Sequence, residues 1–414
     1  MRDTPVAADP TTRARGADDF RIAVAGPALT EPLAQFLDCG AEGLPIGQGG
    51  TSVWQLVSGL IDHHRHVSVV TLDAAVRSPI LANGPLLDVI YGPFRPRHRM
   101  RDLMAAERRA VRDGLLRLRP DLVHAHWCYE YAMGALATGL PTLVTVHDWA
   151  PTVVRLMDAR YRPYWTGRAV MFFITLARAR YVTAISPYIA ERIRTFTRAA
   201  IEVVPNGFPD ECFAKGANDQ KPQGARPLGP PILLSVNNGF GPLKNVTRLL
   251  EAFRLVTQRG VDCELQLIGV DYEAGGPCDL WARQRGLVEK VMFLGPLGRD
   301  DVLRQMRSAT VLTHASREES FGMVLIESMA QGTAVMGGKR SGAIPWVLDS
   351  GKAGLLVDVE DPRALADGIA AMLTNPSLRL QLADAGYKRA WEYFRQSQVT
   401  ERYLDAYRRV LDEE

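Results

Sequence analysis

Short β-branched and aliphatic runs alternate with helix-period segments along most of the chain, in two successive series. The first comprises RIAVAGP, VSVVTL, LDVIYG, LVHAHW, TLVTVHD, YVTAIS and IEVVP, beginning at Arg21. Strands apolar on both faces need cover on both sides, and the helical stretches between them supply it, so the pattern implies a parallel sheet flanked by helices. The segment GANDQKPQGARPLGPP (216–231), rich in Gly, Pro and polar residues, interrupts the series as an interdomain linker does. The alternation then restarts with ILLSVN, CELQLIG, VMFLG, ATVLTHA, AVMGG and AGLLVDV. The expected class is α/β, with two doubly wound parallel-sheet domains facing a cleft.

The length of 414 residues suits two such domains. They are expected at 20–215 and 232–385, after a disordered tail at 1–19. The segment 386–414 is expected to be helical and to return across the junction, because Trp391, Tyr393, Phe394, Tyr403 and Tyr407 are too aromatic for a free tail. A net charge of +3 gives no reason to expect nucleic acid as a partner. Five cysteines without CxxC spacing argue against a disulfide framework or zinc site and fit a reducing cytoplasm. The first nineteen residues contain no apolar run able to act as a signal core, and no run approaches the ~20 apolar residues that a membrane span needs. A chain of this kind meets a membrane only peripherally, at its inner face. The basic stretch RPRHRMRDLMAAERRAVRDGLLRLRP is the surface that anionic lipid or a phosphorylated acceptor would use, although such charge runs are usually solvated helix faces.

In open parallel sheets, ligands bind where strands end and helices begin. The densest signal of this kind is THASREESFGMVLIESMAQGTAVM, in which Glu319 and Glu327 stand eight positions apart. A helix starting near Phe321 would leave the N–H groups of Met323 and Val324 free for phosphate oxygens. Gly322 would let a ligand approach the backbone. Ionised carboxylates accept hydrogen bonds from vicinal hydroxyls, which suits sugars. Taken alone, the same residues also read as a polar loop and a solvated helix. The string S-x-x-E-S-F-G-x-x-x-x-E-x-M-A-x-G-x-x-V, however, resembles the signature of the retaining glycosyltransferase family 4, the group 1 glycosyltransferases.

That resemblance covers nearly the whole chain from Arg21 and implies the GT-B fold of two Rossmann-like domains. It implies that Glu319 contacts the hydroxyls of the transferred sugar and Glu327 those of the ribose. The segment SVNNGFGPLKN resembles the family element G-R-x-x-x-x-x-K-G, which makes Lys244 the cation at the leaving diphosphate. Asn238 stands where the family has arginine, so one positive contact to the diphosphate is replaced by an amide. GPLGRDD resembles the loop beside the base and puts Leu297 near it. SGAIPWVL resembles G-G-x-P-E-V with Trp346 in place of glutamate, and we read Trp346 as packing.

In the first half, GQGGTS matches the Gly-Gly pair that opens a helix against donor phosphate and acceptor, here Gly49 and Gly50. RIAVAGPALT has one glycine where a nicotinamide site would need three. His124 and His126 share one face of a strand and read as metal ligands or core residues; no metal is expected, since nothing completes a ligand set. The resemblance assigns His126 to a sugar hydroxyl, and His147 and Asp148 to the acceptor side. SPYIAERI and VPNGF are left structural. The implied reaction is retaining, metal-independent hexosyl transfer from a UDP- or GDP-sugar to a hydroxyl of a glycan, glycolipid or small metabolite, with no cofactor beyond that nucleotide-sugar co-substrate. Two alternatives stay open: a nucleotide-sugar epimerase of the same shape using His126 and His147, and a non-catalytic binding subunit. Oligomeric state is not legible.

Overall fold

The computed structural model describes residues 20–156, 159–214 and 229–414. The expected tail and nearly all of the expected linker lie outside the described residues. The first series of strands is β1 (Ile22–Ala25), β2 (Val67–Asp73), β3 (Ile80–Asn83), β4 (Leu87–Pro93), β5 (Leu122–His126), β6 (Thr142–Val146), β7 (Tyr181–Ala184) and β8 (Ile201–Val203). The second is β9 (Ile232–Val236), β10 (Glu264–Ile268), β11 (Val291–Gly295), β12 (Val311–His314), β13 (Ala334–Gly338) and β14 (Leu355–Val357). The sheets have eight strands in the order β3-β4-β2-β1-β5-β6-β7-β8 and six in the order β11-β10-β9-β12-β13-β14.

Two compact units divide the described chain. One holds the residues up to Val144 with Arg178–Tyr181 and Tyr403–Glu414; the other holds Thr145–Ala177 and Val182–Arg402.

The described pairings are parallel except at β3, which runs antiparallel to β4. Of the strands, β3 is the one that the alternation does not reveal. Its four residues ILAN are mostly half-buried or exposed, so they lack the two-sided apolar run that marks its neighbours. In β2 all seven residues are buried, as a strand covered on both faces requires.

In the second unit, the helix Val246–Gln258 buries Val246, Leu249, Leu250, Phe253 and Val256, the spacing of a single helical stripe. That stripe shares one core with Leu365, Ala366, Ile369 and Met372 from the helix Pro362–Thr374. Asp361 caps the latter helix by accepting from Arg363 N–H, with Pro362 following it. Because these helices are fixed against the sheet, the loops leaving the carboxyl ends of β9, β12 and β13 are held to one another.

Candidate active site

Lys244 and Asn245 end the loop after β9. Asn245 adopts a left-handed conformation (φ +56) and donates from Nδ2 to the carbonyls of Ala315 (3.2 Å) and Val359 (2.8 Å). One buried amide thus ties the β9 loop to the segments following β12 and β14. Arg317 strengthens the junction: its N–H donates to Leu243 O (2.9 Å), and its guanidinium bonds Pro242 O and pairs with Glu360. The consequence is a fixed approach of Lys244 Nζ to Glu319 Oε1, at 2.7 Å.

Glu319 is braced from a third direction by the loop after β13. Ala343 N–H donates to Glu319 O (2.8 Å), and Ser341 Oγ donates to Ser316 O (2.6 Å). Between them, Gly342 has φ +59, and a Cβ there would lie 2.2 Å from Glu319 O. His314, the last residue of β12, has Nε2 2.9 Å from Glu319 Oε1. Burial by itself would raise the Glu319 carboxyl. The hydrogen bond from His314 and the charges of His314 and Lys244 outweigh burial and hold it well below the usual carboxylate range. Its neighbour Glu318 goes the opposite way, pushed up by burial and by the Glu319 charge against the opposing charge of Arg155. Two adjacent carboxyls therefore differ in proton affinity because one has close cationic or hydrogen-bonding partners.

Gly322, in the left-handed region at φ +98, precedes the helix Met323–Ala330; a Cβ there would meet Ile344 Cδ1 at 2.7 Å. Leu325 N–H is bonded to Gly322 O, whereas the N–H groups of Met323 and Val324 have no backbone acceptor among the described residues. Those two amides are available to an anion at the helix start. Glu327 is the fifth residue of this helix, and burial raises its carboxyl against the pull of Arg299. Asn238 occupies the start of the β9 loop, where its Oδ1 accepts from Val270 N–H (3.4 Å). That bond joins the amide to the segment following β10. Leu297 is half-buried just before the helix Arg299–Ser308. Trp346 packs against Phe321 and Phe394 with ring centroids 6.1 and 5.6 Å apart, consistent with its reading as a packing residue.

In the other unit, Gly47 N–H donates to Asp73 Oδ2 (2.9 Å), anchoring the glycine loop. Gly50 begins the helix Thr51–Asp62, and a Cβ on it would lie 2.0 Å from Pro27 O; Gly49 has open space at that position. His124 and His126 do lie on one face of β5, with ring centroids 4.2 Å apart. Tyr407 OH lies 2.7 Å from His124 Nδ1, which gives that histidine a structural role. His126 is 1% exposed, and burial pushes its imidazole down to about 3. His147 and Asp148, which fall in the same unit as Lys244 and Glu319, follow the end of β6, His147 buried and Asp148 half-buried.

The lowered His126 value has a defined consequence for stability. Between its ordinary value near 6.5 and about 3, the unfolded chain binds a proton that the folded chain does not, so folding loses stability as pH falls through that window. His126→Gln is expected to remove up to about 1.4 kcal/mol per pH unit from the acid slope between pH 5.5 and 4.5. Urea midpoints at each pH measure it, and identical slopes for the two proteins would disprove the effect.

Thus Lys244, Glu319, Gly322 and the Met323 and Val324 amides form one connected group, with Glu327 further along the same helix. Gly49, Gly50 and His126 belong to the other unit. Motif matching does not single out His314, and it assigns no role to Asn245, Ser341 or Gly342, although Asn245 ends SVNNGFGPLKN and Ser341 and Gly342 open SGAIPWVL.

The model described as "Glycosyl transferases group 1" matches residues 217–389, and "Glycosyltransferase Family 4" matches residues 49–211. The chain belongs to glycosyltransferase family 4. This transferase is 28% identical over 396 residues to a D-inositol 3-phosphate glycosyltransferase of Saccharomonospora viridis, covering 88% of this chain and 90% of that one. Sucrose-phosphate synthase of Thermosynechococcus elongatus has the same fold, with a TM-score of 0.76 at 21% identity over 95% of the transferase and 100% of that chain. HepE of Anabaena, whose structure was determined with UDP and glucose, superposes with a TM-score of 0.66 at 18% identity over 94% and 99% of the two chains. The two parallel sheets of the transferase are those of the GT-B glycosyltransferases. No helix among its described residues is long and apolar enough to cross a membrane.

Proposed function

We propose that the transferase moves a hexose from a UDP- or GDP-sugar to an acceptor hydroxyl with retention of configuration and without a metal ion. The observation that carries this reading is the direct pairing of Lys244 with Glu319 beside a helix start whose first two N–H groups have no backbone acceptor among the described residues. Such a site can hold a diphosphate on the lysine and the Met323 and Val324 amides while an ionised carboxylate accepts from sugar hydroxyls. In the reaction, the bond from the anomeric carbon to the diphosphate oxygen breaks. The acceptor oxygen bonds to the same face of that carbon, and its proton passes to the departing diphosphate. In this reading Glu319 serves as a hydrogen-bond acceptor rather than a nucleophile: Lys244 and His314 hold Oε1, which leaves Oε2 to accept from a sugar hydroxyl. HepE, with UDP and glucose, supports a nucleotide-sugar donor, and the inositol phosphate relative makes phosphorylated cyclitols the first acceptors to test.

The test is an incubation in EDTA with UDP-glucose or GDP-mannose and an acceptor panel, the product anomer being read by NMR. Retention at undiminished rate is the expected outcome. An inverted product, or activity that requires added divalent metal, would overturn the proposed chemistry.

A further inference from the structure

The hydrogen bonds to the Glu319 carboxylate are unevenly distributed. Lys244 Nζ at 2.7 Å and His314 Nε2 at 2.9 Å both reach Oε1, and Oε2 has no partner among the described residues. An ionised carboxylate only accepts, so His314 must present an Nε2–H to it. The imidazole is 3% exposed at the end of β12, where the pairing of His314 with Gly337 of β13 fixes its backbone. Its position is therefore set by the sheet, whereas Lys244 reaches the same oxygen from a loop through a flexible four-carbon stem.

We infer that His314 is a positioning residue for sugar recognition: it holds Glu319 Oε1 from the sheet so that Oε2 faces the donor sugar when Lys244 turns to the diphosphate. This rests on the proposed reading of the site. Without donor, Lys244 and Glu319 satisfy each other. A bound diphosphate brings more negative charge than one carboxylate and competes for the same ammonium group. As that pair weakens, the His314 bond remains to keep the carboxylate from rotating. The nucleoside diphosphate moiety does not need this bond; the sugar does.

The experiment compares two polar variants, His314→Gln and His314→Asn, with the wild type. Glutamine can place an amide N–H near the position of Nε2, whereas asparagine is too short to reach Glu319. Calorimetry would give the affinities of UDP and UDP-glucose, and of GDP and GDP-mannose. A hydrogen bond to a charged group corresponds to roughly tenfold or more in affinity. His314→Asn is expected to weaken the nucleotide sugar about tenfold while leaving the bare nucleoside diphosphate within about twofold, and His314→Gln to recover most of the difference. Equal weakening of both ligands by His314→Asn, or equal sugar discrimination by the two variants, would overturn the positioning role. If the wild type binds no nucleotide sugar, the reading of the site fails, and this inference fails with it.

Discussion

Lys244→Ala is expected to lower kcat by about 10²–10³-fold, the scale seen when one preorganised group facing a developing charge is removed. The lysine is 2.7 Å from Glu319 Oε1, and its side chain retains 23% exposure, so it can reach a ligand as well as the carboxylate. Its importance grows along the reaction, because charge accumulates on the diphosphate as the glycosidic bond breaks. Asn238 makes this dependence sharper: an amide stands where a second positive charge would be expected, and its Oδ1 is engaged by Val270 N–H. Glu319→Ala is expected to abolish transfer as well, but chiefly by losing the sugar contact. Neither change should unfold the protein, since the loops are joined by Asn245, Arg317 and Ser341 independently of the ion pair. Steady-state kinetics together with thermal melting would check both statements. Near-normal turnover in Lys244→Ala would remove the lysine from the mechanism, and a collapse in melting temperature would make it a structural residue instead.

The E-S-F-G-x-x-x-x-E string was legible as a family signature, since its residues taken alone also read as a polar loop and a solvated helix. Thirteen strands were legible because short β-branched and aliphatic runs alternate with helical segments, and in strands such as β2 two-sided burial makes the run continuous; β3 escaped because its exposed residues leave none. The bracing of Glu319 was not legible. The contacts from Asn245 to Ala315 and Val359 span 70 and 114 positions, and no local period encodes pairings between loops of different strands. His314 illustrates the same limit at short range. In the string it is one more residue of a buried strand, and only the turn after β12 brings its ring to the carboxylate.

Gly342→Ala is expected to be the most damaging substitution among positions to which the motifs assign no role. An L-residue at φ +59 costs about 1–2 kcal/mol from its own backbone. The greater cost comes from where its Cβ would go: 2.2 Å from Glu319 O and 3.1 Å from Glu319 N, both backbone atoms that cannot swing aside. The segment carrying Glu319 must move, and the bond from Ala343 N–H to Glu319 O must lengthen or break. The combined loss of stability should be about 2–4 kcal/mol, in the upper range for a single substitution. A displacement on the order of 1 Å at a positioning group can lower turnover about 10²-fold. Gly286→Ala separates the two causes. Gly286 has nearly the same φ, +65, yet nothing lies within 4 Å of its would-be Cβ, so it carries the strain without the collision. Chemical denaturation and kcat for both variants would decide the point. Gly286→Ala should lose about 1–2 kcal/mol and keep its activity, whereas Gly342→Ala should lose more stability and most of its turnover. Equal behaviour of the two would mean that left-handed strain alone accounts for Gly342, and that its contact with Glu319 does not position the carboxylate.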